Sequence, residues 1–190
     1  MNAVWERMSI PMSEPTNQQR TSNVSFERER GVYGLRVTKD VAHASIDVGS
    51  DTLRSSRTLQ VFTVLSEGEV PVFLIKIHAS AVTLAFAGTD LAKAEKVLKD
   101  AGFISKPRRD LALIAIHAAS MRELPGIMSQ IADCLYAASA KLYEIGDSHE
   151  SVLCLIEGGR VSAVTTALCK HFSLDPSDVV EESVELEERF

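Results

Sequence analysis

The 190 residues are 45% hydrophobic and 24% charged, the balance of an ordinary globular protein, and a folded region of about 150 residues buries enough surface for a self-sufficient core. A formal net charge of −6 speaks against a nucleic-acid footprint. No run approaches the roughly 18 apolar residues of a membrane span, and Trp5, Glu6 and Arg7 interrupt the apolar core that a signal peptide needs.

Residues 1–30 are polar, hold Pro11 and Pro15, and are expected to be disordered or loosely docked. Val41 to Val48 reads as a strand. The polar loop Gly49 to Ser56 follows, and then a helix with Leu59, Phe62 and Leu65 on one face, ended by Gly68. Val72 to Ile77 and Val82 to Phe86 form a hairpin closed by Gly88. Asp90 is placed to cap the next helix, whose face is Leu91, Ala94, Leu98 and Ala101 and whose stop is Gly102. Lys106-Pro107-Arg108-Arg109 is a basic cluster without interleaved aromatics, which suits a solvated connector better than a phosphate patch.

The cycle then starts again. Leu111 to Ile116 is apolar throughout, as in a strand covered on both faces. Pro125 fits the first turn of a helix with face Ile127, Ile131 and Leu135. Leu142 to Ile145 and Val152 to Ile156 make a second hairpin, and Val161, Val164, Leu168 and Phe172 the face of a last helix. Val70 to Phe103 is a looser copy of this region's second half, about 70 residues earlier. Pairing His78-Ala79-Ser80 with His149-Glu150-Ser151 aligns the two hairpins. The expected fold class is α+β: two β-α-β-β-α units, ferredoxin-like, each an antiparallel sheet with helices on one face. Residues 31–106 and 107–174 are the expected units. Residues 175–190 form an acidic tail in which Asp175-Pro176-Ser177-Asp178 starts a helix and Val180, Val184 and Leu186 offer docking points.

Candidate chemistry is sparse. Cys134, Cys154 and Cys169 fall inside apolar patterns without metal-knuckle spacing, which reads as buried or half-buried thiols in a reducing, cytoplasmic setting. His43, His78, His117, His149 and His171 are scattered, and structural or surface histidines are the simpler reading. Ser148-His149-Glu150 has the residue types of a hydrolase triad, yet neighbours on one turn rarely reach attack geometry and no nucleophile elbow accompanies them. Gly158-Gly159 before Arg160 is a turn sooner than a phosphate cradle. No catalytic residue, metal site or cofactor is expected.

Met121-Arg122-Glu123-Leu124-Pro125-Gly126, between strand and helix, resembles the corresponding loop of an ACT domain. Gly31-Val32-Tyr33-Gly34-Leu35, Ala42-His43-Ala44-Ser45-Ile46, and the stretch Leu142 to Ser151 bring the chain closer to the tandem ACT region that ends bacterial aspartokinases. The resemblance covers roughly residues 31 to 172. It implies a non-catalytic sensor of an end-product amino acid, of the lysine or threonine class, that forms a homodimer and acts on a partner enzyme. No counterpart of the kinase domain is expected in this chain, nor a nucleic-acid or membrane partner. The resemblance places the ligand between the strand-to-helix loop and the second strand, at Ser120, Met121, Leu124, Gly126, Ile145, Gly146, Asp147 and Ser148.

Such a site has a physical basis. The first turn of a helix offers unpaired backbone N–H groups to a carboxylate, and Asp147, Glu144 or Glu123 is available to an ammonium group. Leu124-Pro125-Gly126 fits a plain helix entry equally well, and Glu144 and Asp147 fit solvated hairpin charges. The first unit departs from the pattern, because its loop Gly49 to Ser56 lacks the Pro-Gly pair and Phe73 and His78-Ala79 replace the family's usual residues. Its site is expected to be degraded or altered, with Asp51 and Arg54 as remaining contacts. The alternative function is a dimerisation or protein-interaction module whose ligand sites have decayed.

Overall fold

The computed structural model describes residues 31–119 and 121–183. The N-terminal 30 residues, Ser120, Val184 and Leu186 lie outside them. The elements run β1 (Gly31–Asp47), α1 (Arg54–Glu67), β2 (Leu74–Ile77), β3 (Ala81–Ala87), α2 (Leu91–Asp100), β4 (Ser105–Ala119), α3 (Ile127–Ala137), β5 (Leu142–Asp147), β6 (Ser151–Glu157), α4 (Val161–Phe172) and β7 (Val179–Ser183). The expected α+β class holds.

Among the described residues the strands form one sheet in the order β2-β3-β1-β4-β6-β5, with β7 added in parallel beside β1. β1 and β4 are long antiparallel partners, and each serves both halves of the sheet. The second part of β1 pairs with β3 (Val41↔Ala87 to Asp47↔Ala81), and the second part of β4 pairs with β6 (Leu111↔Glu157 to His117↔Ser151). Between their two parts each strand breaks register at an aspartate in the left-handed region, Asp40 (φ 55°) and Asp110 (φ 57°). Asp is one of the few side chains that tolerates this conformation.

The repeat is tighter than the sequence suggests. Asp40 and Asp110, β3 and β6, and Leu91-Ala94-Leu98 and Val161-Val164-Leu168 are all separated by 70 residues, without a gap. This spacing shifts the hairpin alignment by one residue. His78 corresponds to Ser148, because His78 N–H donates to Ala81 O and Ser148 N–H to Ser151 O, each at 2.8 Å.

Each half buries one sheet face under its helix pair. In the first, Ala42, Ala44, Ile46, Val82, Leu84 and Phe86 meet Val61 and Leu65 of α1 and Leu91, Ala94 and Leu98 of α2. In the second, Ala112, Ile114, Ile116, Val152, Cys154 and Ile156 meet Ile127, Ile131 and Leu135 of α3 and Val161, Val164 and Leu168 of α4. The opposite faces pack on one another through Val41, Leu74 and Ala85 from one half and Leu111, Leu113 and Leu155 from the other. The strand Leu111 to Ile116 is therefore buried on both faces, as its unbroken apolar run predicts. The sheet curls until its outer strands β2 and β5 touch: a Cβ on Gly146 would stand 3.0 Å from Leu74 Cδ1.

Several local expectations are corrected. α1 buries Thr58, Val61 and Leu65 while Leu59 is exposed, since a strict three-residue step drifts off a face whose period is 3.6 residues. Lys106 to Arg109 is solvent-exposed but forms the start of β4 rather than a connector, with His43↔Arg108 and Ala44↔Pro107 in register. Asp90 stands at the start of α2 without a side-chain cap bond. Pro125 precedes α3, whose N-cap is Gly126. Beyond α4 no α-helix forms at Asp175. A 3₁₀ turn over Pro176–Asp178, held by a capping box between Asp175 and Asp178, leads into β7. The acidic charge there is partly answered across the sheet, Glu181 pairing with Lys39 at 2.5 Å and Glu182 with Arg36 at 3.3 Å. The thiols match expectation: Cys134 and Cys154 are buried, Cys169 half-buried, and all three are free. Burial pushes the Cys154 thiol up to about 12, which makes it inert. Among the described residues no helix is long and apolar enough to cross a membrane.

Candidate functional site

The chain leaves β4 at Ala119, turns through a 3₁₀ segment over Met121–Glu123, and enters α3 at Gly126. Leu124 N–H donates to Met121 O at 3.2 Å and Gln130 N–H to Gly126 O at 3.1 Å. Gly126 adopts φ 79° at the N-cap, which a side chain would resist by about 1–2 kcal/mol. The N-cap Gly126 has no side chain to cap α3; Ile127 N–H donates to Leu124 O at 3.4 Å, and the Met128 and Ser129 N–H groups stand at the positive end of the helix dipole.

Opposite this turn stands the β5–β6 hairpin. Together they enclose a cleft of about 670 Å³ lined by Met121, Leu124, Gly126, Ile127, Met128, Asp147, Ser148, His149 and Val152. Its walls are mostly apolar, with polar groups at the hairpin, the composition expected of a small-molecule site. The structure thus brings together Met121, Leu124, Gly126, Asp147 and Ser148. It does not bring in Ile145, which packs toward the second core, or Gly146, whose surroundings are Leu74 and Leu153. Both lie on β5 away from the cleft lining, and Ser120 is outside the described residues. Sequence reasoning missed Ile127, Met128, His149 and Val152 as lining residues, although the first helical turn and the hairpin were both in view.

Ser148 has a second duty. Its hydroxyl oxygen accepts Ser151 N–H at 3.0 Å and lies 2.8 Å from Ser151 Oγ, so it holds the turn that shapes one wall. Gly158 is explained by packing, since a Cβ there would stand 2.8 Å from Asp110 O, whereas one on Gly159 would meet nothing within 4 Å. Among the described residues no group of three or more His, Cys, Asp or Glu is arranged to hold a metal.

A polar cluster unnoticed in the sequence crosses between the two halves. His43 on β1, 6% exposed, places Nε2 3.3 Å from Glu144 Oε1 on β5. His78 Nε2 lies 3.1 Å from Thr83 Oγ1 and 3.9 Å from the same carboxylate. Burial lowers the His43 pKa below the ordinary 6.5, with Arg108 and His78 pushing the same way and Glu144 opposing. The folded chain therefore binds this proton less tightly than the unfolded chain. His43 contributes stability that is present above pH about 6.5 and lost as pH falls through its lowered folded-state value. Urea midpoints between pH 8 and pH 5 should fall toward the acid end, and His43→Gln should flatten that slope. An identical slope in both proteins would remove His43 as its source.

No protein-family model matches this sequence, and no curated protein does. Solved structures do. The regulatory subunit of aspartate kinase from Thermus flavus matches with TM-score 0.67 at 16% identity, covering 75% of this chain and 99% of that one. The ligand-free regulatory subunit from Thermus thermophilus gives 0.68 at 17%, covering 75% and 99%. Aspartokinase III of E. coli, in complex with lysine and aspartate, gives 0.62 at 18%, covering 76% of this chain and 34% of the enzyme. At these identities the likeness carries the fold and stops there. The chain resembles the regulatory portion of aspartokinases, and its fold is their α+β ACT regulatory fold.

Proposed function

We propose that the chain is a non-catalytic regulatory protein that binds a free amino acid in the cleft between the 121–128 segment and the β5–β6 hairpin. One observation carries the reading: an uncapped helix start and the Asp147 carboxylate face the same apolar-walled cleft. The helix start suits a ligand carboxylate, Asp147 its ammonium group, and Met121, Leu124 and Val152 its side chain. The likeness to the E. coli enzyme, whose structure holds lysine and aspartate, supports an amino acid as the effector, and the resemblance favours the lysine or threonine class. Binding would favour one arrangement of the two halves, proposed at residues 31–106 and 107–174, by no more than the ligand's difference in affinity between arrangements. Ser120 remains a proposed contact. Assembly as a homodimer and control of a partner enzyme in the cytoplasm belong to the same proposal.

Melting curves recorded with each of the twenty amino acids are expected to show a selective upward shift, since a ligand that binds only the folded state stabilises it by mass action. Asp147→Ala should remove that shift and leave the ligand-free melting temperature unchanged, because the residue is exposed at the strand end. A retained shift would take Asp147 out of the site. The exposed Leu53, Leu59, Ile75 and Ile77 of the first half favour a second reading, an interaction module with decayed sites. A stable dimer that responds to no amino acid would establish it against the first.

A further inference from the structure

The 70-residue correspondence allows the cleft to be traced in the first half. Leu124 maps onto Arg54, Met128 onto Thr58 and Ser148 onto His78. In the second half Leu124 and Ser148 line the same open cleft, one from the loop that leads into α3 and one from the β5–β6 hairpin. In the first half their counterparts are joined: Arg54 Nη2 donates a hydrogen bond to His78 O at 2.9 Å. The arginine spans from the first turn of α1 to the β2–β3 turn, the two elements that correspond in the repeat to the walls of the open cleft.

We infer that the first half holds a self-occupied site, in which the Arg54 side chain takes the place of a ligand, so that the chain binds one amino acid and not two. The inference rests on the proposed function for the ligand's identity, but the closed pocket stands on geometry alone.

Three observations support it. Arg54 is half-buried, with Nε inside and without a hydrogen-bond partner, so its stem is packed into the structure rather than extended into solvent. Thr58, 9% exposed, likewise buries an unpartnered hydroxyl where the second half presents a half-exposed Met128 thioether. A polar side chain thus stands where the open cleft has an apolar one. The β2–β3 turn also receives a tie from the arginine. His78 has no hydroxyl to gather the turn's amides as Ser148 does, and its ring is engaged with Thr83 and directed toward Glu144. The Arg54 bond to the His78 carbonyl supplies from α1 the tie that Ser148 makes within its own hairpin.

The test uses the full chain and two probes. Arg54→Ala removes the equivalent of an ethylguanidinium ion; Arg54→Ser leaves a similar space with a residue favourable at a helix start, should the first variant fail to fold. Ethylguanidinium is expected to raise the melting temperature of the variant and leave the wild type unchanged. A folded variant indifferent to ethylguanidinium would overturn the closed pocket, whatever amino acids do. Calorimetric titration with the twenty amino acids is expected to give one bound molecule per wild-type chain and two per variant chain. Two per wild-type chain would overturn the inference and leave the proposed function standing. Rescue by ethylguanidinium with no amino acid bound to either protein would uphold the closed pocket and overturn amino-acid binding.

Discussion

Phe86→Ala is expected to destabilise the chain by about 3–5 kcal/mol, the range for deleting a fully buried aromatic ring. Phe86 is 0% exposed and is among the largest side chains so enclosed. It stands in β3, paired with Ala42 on β1, and shares its core with Leu91, Ala94 and Leu98 of α2 and with Val61 and Leu65 of α1. Neighbours on a sheet and two helices are held by their own hydrogen bonds, so the void would collapse only in part. Such a loss is a large share of the 5–15 kcal/mol that typically holds a domain together. Because β1 and β4 run through both halves, the weakened half should draw the other down with it in one transition. Urea unfolding followed by far-ultraviolet circular dichroism checks both points. Two separated transitions would show that the halves unfold independently despite their shared strands.

Gly158→Ala is the second large effect, expected at the upper end of the roughly 1–3 kcal/mol that overpacking costs. The new methyl would stand 2.8 Å from Asp110 O and 3.3 Å from Asp110 C. Those atoms belong to the backbone of a central strand at its register break, and they cannot rotate away as a side-chain tip can. Gly102→Ala is the control. Gly102 has φ 82° and nothing within 4 Å of the added methyl, so it bears only the left-handed backbone cost of about 1–2 kcal/mol. Denaturant midpoints of the two variants should therefore separate, with Gly158→Ala lower. Equal midpoints would mean that β4 shifts to make room.

The helices and hairpins were legible because their signals are local. Leu91-Ala94-Leu98 and Val161-Val164-Leu168 display the helical period within a few residues, and the apolar run from Leu111 reports a strand covered on both sides. The loop ending at Gly126 was legible through the local run Met121 to Gly126, in which Pro125 marks a helix entry, whereas the left-handed turn at Gly126 was not foreseen. What escaped depends on distant partners. Nothing near His43 announces Glu144, which comes 101 residues later and meets it only because the sheet curls. Val179–Ser183 reads as an acidic tail until β1 is present to pair with it. Leu59 misled because three-residue spacing looks amphipathic over two steps, whereas the i, i+4 pair Val61 and Leu65 marks the buried side. Arg54 was named as a possible ligand contact, and the carbonyl it binds lies 24 residues on, in a turn whose alignment with the second hairpin had to move by one residue.

The parallel pairing of β7 with β1 has a consequence for how the chain is made. β1 is the earliest described strand to leave the ribosome, and its first part, Leu35 to Lys39, pairs with β4 on one edge but receives its neighbour on the other only when Val179–Ser183 has been synthesised. At typical rates of about 5–20 residues per second, that edge waits on the order of ten seconds or more. During the wait Leu35 and Val37, later fully covered, belong to a hydrophobic strand with unsatisfied backbone groups, the kind of edge that invites pairing with another chain. Arg36, between the apolar positions, and Lys39, just beyond them, later meet Glu182 and Glu181 and place charge along the unfinished edge. The two ion pairs at the end of the fold thus begin as gatekeepers of its beginning.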